Sequence, residues 1–341
     1  DPVANQFRPQ FRPKVMIHQD AQKLPLLVTS TGVCFQRGRK LLAVDPLSGE
    51  TLWWRDDLPA GCDLFGDSQF VFVRTPGETT AVVLRGSDGK KIGTREVPPI
   101  GDRVLLQGRQ CISSSVNGQV REVIARDLWS RKILWKKLPG NNSHLSVLNG
   151  REIAILDTDG RFQVIEIKTG LPAVDVKLNV PQTIANLLVL RRADRFVVVV
   201  NEPQKAKVPG RMIAPSSSTH RNVHGELYIL SETGEELSQS RFEEQAIKLN
   251  QPERLPLLVL YRRYQQKNQG ANGRISYSRA KTRLVLLDLR SGRTVHQFDR
   301  EFGSDVDYRL AADPLKHQLT LKTRTVGITI DYSGQKAGGV K

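Results

Sequence analysis

The stretch Leu41–Arg55, LLAVDPLSGETLWWR, reads as strand, tight turn, strand. An apolar run enters Asp45, the chain reverses over Pro46, Leu47, Ser48 and Gly49, and a second run leaves at Thr51 toward Trp53 and Trp54. Proline pre-sets the turn, and glycine takes the φ > 0 position that a Cβ resists. The pattern returns as RGSDGKKIG at Gly89, ARDLWSRKILW at Arg131, IEIKTGLPAV at Gly170, ILSETGEEL at Gly234, LDLRSGRTV at Gly292 and IDYSGQK at Gly334. The steps between markers are 40, 42, 39, 64, 58 and 42 residues.

Four of those steps match the period of a four-stranded propeller blade, about 40 residues. One such unit cannot bury its own faces, and stacked neighbours bury both. The spacing predicts an all-β chain: a seven-bladed β-propeller of four-stranded antiparallel blades, with eight blades the alternative count. The longest step, 64 residues, is too short for two ordinary blades, so both long steps read as blades with insertions. An Asp stands four residues before the marker at Asp45, Asp127 and Asp288, and a Trp four residues after it at Trp53 and Trp135. The other units carry Gly93, Val174, Ser238, His296 and Gly338 at the Trp place. In the third unit Arg131 replaces the glycine, so that turn is of another type or Arg131 is strained.

The segments AVDPLSGETLW, RDLWSRKILW and LDLRSGRTV resemble the PQQ-like (pyrroloquinoline-quinone enzyme) repeat: an Asp, a Thr/Ser-Gly-Lys-type turn, then Leu-Trp. The resemblance covers about residues 14–335 and implies a propeller whose Trp53 and Trp135 dock between blades. The family includes quinoprotein dehydrogenases and BamB-like assembly proteins of the outer membrane. It therefore implies a cell-envelope, periplasmic or extracellular location. The dehydrogenases are longer, hold the quinone against a disulfide between neighbouring cysteines, and surround calcium with Glu, Asn and Asp. Cys34, Cys62 and Cys111 lie far apart, and no position matches those ligands. The carry-over stops at the repeat, and pyrroloquinoline quinone stays as the alternative cofactor.

Within 341 residues a single ring plus two insertions uses the chain from about residue 14 to its end. Residues 1–13, rich in Pro, read as a linker, and the absence of an initial Met suggests a piece of a longer parent chain. Residues 14–20, KVMIHQD, read as the strand that closes the ring, because the last repeat runs out into Gly-rich polar sequence after Gly334. No apolar run approaches the roughly 18 residues of a membrane span. The three cysteines read as small buried hydrophobes, with a Cys34–Cys62 disulfide left open, and six scattered His give no metal site. Asp157–Gly160 is a hairpin turn without the further acidic ligands of a calcium loop.

The net charge is +16, with a pI near 10.0. That balance favours anionic partners. It concentrates at two insertions, about 201–225 and 262–283, expected side by side on one rim of adjacent blades. From Arg254 to Leu287 there are eight Lys or Arg and no Asp or Glu, with Tyr261, Tyr264 and Tyr277 interleaved. Arg262, Arg263, Lys267, Arg274, Arg279, Lys281 and Arg283, with Tyr264 and Tyr277 as stacking platforms, are the candidate partner-binding residues. No Ser/His/Asp set, phosphate loop or HExxH is present. The expectation is a monomeric, non-catalytic scaffold that contacts a protein or anionic polymer, or other domains of its parent chain. A reduced quinoprotein oxidoreductase and a non-specific polyanion or nucleic-acid binder are the alternatives.

Overall fold

The computed structural model describes residues 26–98, 103–118, 120–192, 194–203, 211–212, 220–249, 251–252, 255–265, 267–269, 275–277, 281–300, 309–313, 315–322 and 327–332. Among them every regular element is a strand, and all pairings are antiparallel. The chain divides into two compact units, Asp1–Asn141 with Lys168–Gly170, and Asn142–Ile167 with Leu171–Lys341. The expected linker, the closing strand at 14–20 and the Gly334 turn lie outside the described residues.

The first unit holds three sheets of four strands, each pairing its strands in chain order. They are Leu26–Val28, Val33–Arg37, Lys40–Val44 and Thr51–Arg55; then Asp63–Gly66, Phe70–Arg74, Thr80–Arg85 and Lys91–Glu96; then Arg103–Gln107, Gln110–Asn117, Val120–Asp127 and Ile133–Lys137. Alternating residues of the first sheet (Cys34, Leu41, Ala43, Trp53) pack with Val71, Val73 and Leu84 of the second into one buried cluster. In Phe70–Arg74 the last four residues are all buried, as expected of a strand covered on both faces.

The second unit repeats the plan with His144–Val147, Glu152–Leu156, Arg161–Glu166 and Pro172–Lys177. It then departs from separate four-stranded blades. Asn186–Arg192, Arg195–Asn201, His220–Ser231, Glu236–Lys248, Leu257–Gln265, Lys281–Asp288 and Thr294–Arg300 form one continuous sheet, with Arg211–Met212 added to Leu257–Gln265. The joint is the 13-residue strand Glu236–Lys248. Its whole length pairs with His220–Ser231, and its far end also pairs with the next strand, Ala246 opposite Tyr261 and Ile247 opposite Leu260. One long strand thus serves as the last of one unit and the first of the next. The buried Gln251 extends that ladder with its side chain, which donates to the Val259 carbonyl at 2.8 Å and accepts from the Val259 amide at 2.9 Å. A last sheet has three strands, Arg309–Asp313, Gln318–Lys322 and Gly327–Asp331.

The six strands that follow the described marker turns share a device that the sequence pattern does not display. The register slips by one residue between Ala43/Val44, Val83/Leu84, Ala125/Arg126, Val164/Ile165, Ile229/Leu230 and Leu286/Leu287 of the neighbouring strand. Such bulges re-aim the side chain that follows them. Here that side chain is always the one four residues past the turn marker, and in four units it reaches the marker glycine of the next. A Cβ on Gly89 would stand 2.5 Å from Trp53, one on Gly170 2.4 Å from Trp135, one on Gly234 2.7 Å from Val174, and one on Gly292 1.7 Å from Ser238. Trp53 and Trp135 are accordingly buried. Trp54, pointing the other way, is 54% exposed under the Lys40 ammonium.

The marker turns are built alike. Asp45 accepts the amides of Leu47 and Ser48, Asp127 that of Ser130, and Asp288 that of Arg290. Arg131 keeps the same turn with φ 63°, so the second of the two readings offered by the sequence is the observed one. The residue at the docking place of the preceding sheet is Gly93, which brings no side chain.

Candidate functional site: the paired insertions

Strands run further into both insertions than the sequence suggested. His220–Ser231 begins inside the first, and Leu257–Gln265 and Lys281–Asp288 enter the second from either end. Arg211 and Met212 of the first insertion pair with Gln265 and Tyr264 of the second, so the two are joined by main-chain hydrogen bonding. Lys267–Gln269 and Ile275–Tyr277 close the second insertion as a small hairpin.

Cross-strand register brings four of the candidate residues together: Arg262 is opposite Arg283, and Tyr264 opposite Lys281. The guanidinium carbons of Arg262 and Arg283 lie over the Tyr264 ring at 5.8 and 5.7 Å from its centroid. Arg263 is opposite Thr282 in the same pair of strands. Lys267 and Tyr277 are opposite each other in the hairpin. Arg274 and Arg279 lie outside the described residues.

Two carboxylates that the sequence reading missed complete the cluster. Asp299 accepts from Arg283 Nε at 2.9 Å and Nη2 at 3.0 Å. That pair holds the Asp299 carboxyl below its ordinary pKa, helped by Lys281 and the Tyr264 hydroxyl, and raises that of Arg283. Glu244 lies 2.5 Å from Arg262. It is buried and has φ 50°, at the bulge where two residues, Glu243 and Glu244, face His224 alone. The bulge turns its carboxylate toward the neighbouring strand. Neither was legible in sequence: Asp299 faces Arg283 only because of the register shift at Leu286/Leu287, and the partner of Glu244 depends on its own bulge.

The cations of this cluster stand beside carboxylates. Asp299 holds Arg283 through Nε and Nη2 and so fixes the plane of its guanidinium, while Arg262 meets Glu244 through Nη2 alone. A guanidinium held through Nε and Nη2 still carries donors on Nη1. The arrangement can offer oriented hydrogen bonds to a carboxylate or phosphate at small net charge. Elsewhere in the unit Arg192 shows how fully these strands use buried arginine: its guanidinium donates to the carbonyls of Gln251 and Leu249 at 2.9 and 2.8 Å.

No family model matches the chain, and no curated protein does. Solved structures similar to it include BamB from Moraxella catarrhalis, with TM-score 0.28 and 14% identity over 74% of this chain and 71% of that one. Hsv2 of Kluyveromyces lactis gives 0.39 and 8% over 90% and 92%. A quinohemoprotein alcohol dehydrogenase from Pseudomonas putida HK5 gives 0.35 and 10% over 90% and 64%. At these TM-scores the likenesses bear on neither the number of units nor a function.

The quinone site of the dehydrogenases finds no fit among the described residues. Cys34, Cys62 and Cys111 are buried thiols, so the Cys34–Cys62 disulfide left open by the sequence is not formed. No group of three or more His, Cys, Asp or Glu gathers there to hold a metal ion. Among the described residues no helix is long and apolar enough to cross a membrane.

Proposed function

We propose that this chain is a non-catalytic binding module, a seven-bladed PQQ-like propeller closed by residues 14–20, that contacts an acidic protein or anionic polymer through its paired insertions. The observation that carries this reading is the pairing of Arg211–Met212 with Tyr264–Gln265, which joins both insertions beside Arg262, Lys281 and Arg283. A scaffold holds such loops in place while they vary. The net charge of +16 supports an anionic partner. A cell-envelope location, and work as a monomer or beside other domains of a longer chain, belong to the same proposal.

The test uses two probes, a fluorescein-labelled poly-glutamate peptide and a heparin oligosaccharide. Lys281→Glu should weaken binding of the probe that resembles the partner by about tenfold, with the melting temperature unchanged. Equal affinity of wild type and variant for both probes would overturn the rim as the contact surface.

A further inference from the structure

The second sheet breaks the docking rule that four other units keep. Where Trp53, Trp135, Val174 and Ser238 plug the next turn, it presents Gly93. The space is taken by Arg95: a Cβ on Gly93 would meet Arg95 Nη1 at 3.5 Å. Arg95 Nε donates to the Trp129 carbonyl at 2.8 Å, and its guanidinium lies 4.1 Å from the centroid of the Trp129 ring. Trp129 in turn stacks on Phe70, with centroids 4.6 Å apart and planes at 20°. Arg109 closes the series over Phe70 at 5.7 Å, with its Nε 2.8 Å from Asp127 and its Nη1 donating to Gln69 at 3.4 Å.

The four planar groups alternate between sheets. Arg95 and Phe70 belong to the second, Trp129 and Arg109 to turns of the third. All four are half-buried, whereas the Trp53 plug is buried. A buried apolar plug owes its strength to area removed from water and is insensitive to moderate salt. In the solvent-reached series the Trp129–Phe70 stack is apolar and the Arg109–Asp127 pair lies within the third sheet. The contacts that cross the junction by charge are Arg95 on Trp129 and Arg109 on Phe70 and Gln69, and these are the ones that salt weakens.

We propose that the solvent-reached edge of the junction between the second and third sheets is an ion-sensitive latch, formed by the Arg95–Trp129–Phe70–Arg109 series where the neighbouring junction has the Trp53 plug, beside a buried apolar cluster of Phe72, Val83, Val97, Cys111 and Leu128 that joins the same two sheets. Rising ionic strength loosens this seam selectively and uncovers the Trp129 and Phe70 rings, while the Trp53–Gly89 junction stays closed.

Amide hydrogen exchange on the full chain tests this with an internal control. Exchange is followed at Lys91–Glu96 and Asp127–Lys132 for the seam, and at Thr51–Arg55 and Arg85–Lys90 for the plugged junction. Between low salt and 1 M NaCl the Debye length falls from about 30 Å to about 3 Å. The ratio of seam to control exchange should rise by about three- to tenfold across that range, a change expected from weakening one or two contacts of this kind. In Arg95→Ala the seam should exchange faster at low salt and the ratio should lose most of its salt dependence. A wild-type ratio constant within about twofold over the whole range would overturn the latch, whether or not the variant folds.

Discussion

Gly89 sits directly against the face of Trp53: a Cβ there would lie 2.5 Å from Cε3 and 2.7 Å from Cδ2 of the indole. The same indole N–H donates to the Gly86 carbonyl at 2.8 Å, and Arg55 donates to the Gly89 carbonyl at 2.9 Å. The turn glycine is thus required twice, for its φ of 67° and for the ring above it. Gly89→Ala should cost roughly 2–4 kcal/mol in urea unfolding, from backbone strain plus overpacking. Trp53→Ala should cost about 3–5 kcal/mol. In the double variant the cost of Gly89→Ala should shrink to the backbone part, about 1–2 kcal/mol, because the clash has gone. Simple additivity would show that ring and turn are not coupled.

Arg131 tests the complementary case. It holds φ 63° without glycine and is exposed. Arg131→Gly should stabilise the chain by about 0.5–1 kcal/mol, since relief of the left-handed strain exceeds the added freedom of the unfolded state. A loss of stability would mean that the arginine side chain makes a contact worth more than its strain.

Much of this architecture was legible. Asp45, Gly49 and Trp53 announce a turn and a docking ring because their chemistry is local: a carboxylate to accept turn amides, a residue without Cβ, a large apolar surface. The bulge before Trp53 was not legible, since Leu52 looks like any strand residue and only pairing shows that it has no partner. The fused sheet was also hidden. Glu236–Lys248 contains nothing that marks where one neighbour gives way to the next. At the candidate site the basic residues stand out in sequence, but their neutralising partners do not. Asp299 lies 16 residues from Arg283 across a hairpin, and Glu244 reaches Arg262 from another strand through a strained bulge.

The thiols should be slow. Burial pushes the Cys34 thiol up to about 11 and raises that of Cys62. The thiolate is the reactive form. At pH 8 a thiol-disulfide reagent should modify native protein at both positions at least about a hundredfold more slowly than a model thiol, with full reaction on adding guanidinium chloride. Prompt labelling of Cys34 in the native state would contradict its place in the first sheet.

Tyr228 should titrate with unfolding. It is fully buried, its hydroxyl donates to the Asn179 carbonyl, and burial followed by the charges of Glu226 and Glu236 raises its pKa. A folded pKa above the unfolded value of about 10 gives stability that is whole below that pH and is lost as pH rises through the folded value. Asp299 acts in the opposite direction. Its folded pKa is depressed, so its contribution is present above the unfolded value of about 3.9 and fades as pH falls through the folded one. Stability measured from pH 2 to 12 should fall off at both ends, and Tyr228→Phe should flatten the alkaline limb. An unchanged alkaline limb in that variant would assign the loss to other groups.

The most direct test of the rim as a binding surface replaces the hairpin Lys267–Tyr277 with a short Gly-Ser turn and combines it with Lys281→Glu. Affinity for the poly-glutamate and heparin probes is then measured by fluorescence anisotropy at fixed salt, with cooperative melting as the check on folding. A loss of affinity of about a hundredfold for at least one probe, with melting retained, is the predicted result. Undiminished affinity for both in a chain that still melts cooperatively would contradict the rim and move the contact surface to another part of the molecule.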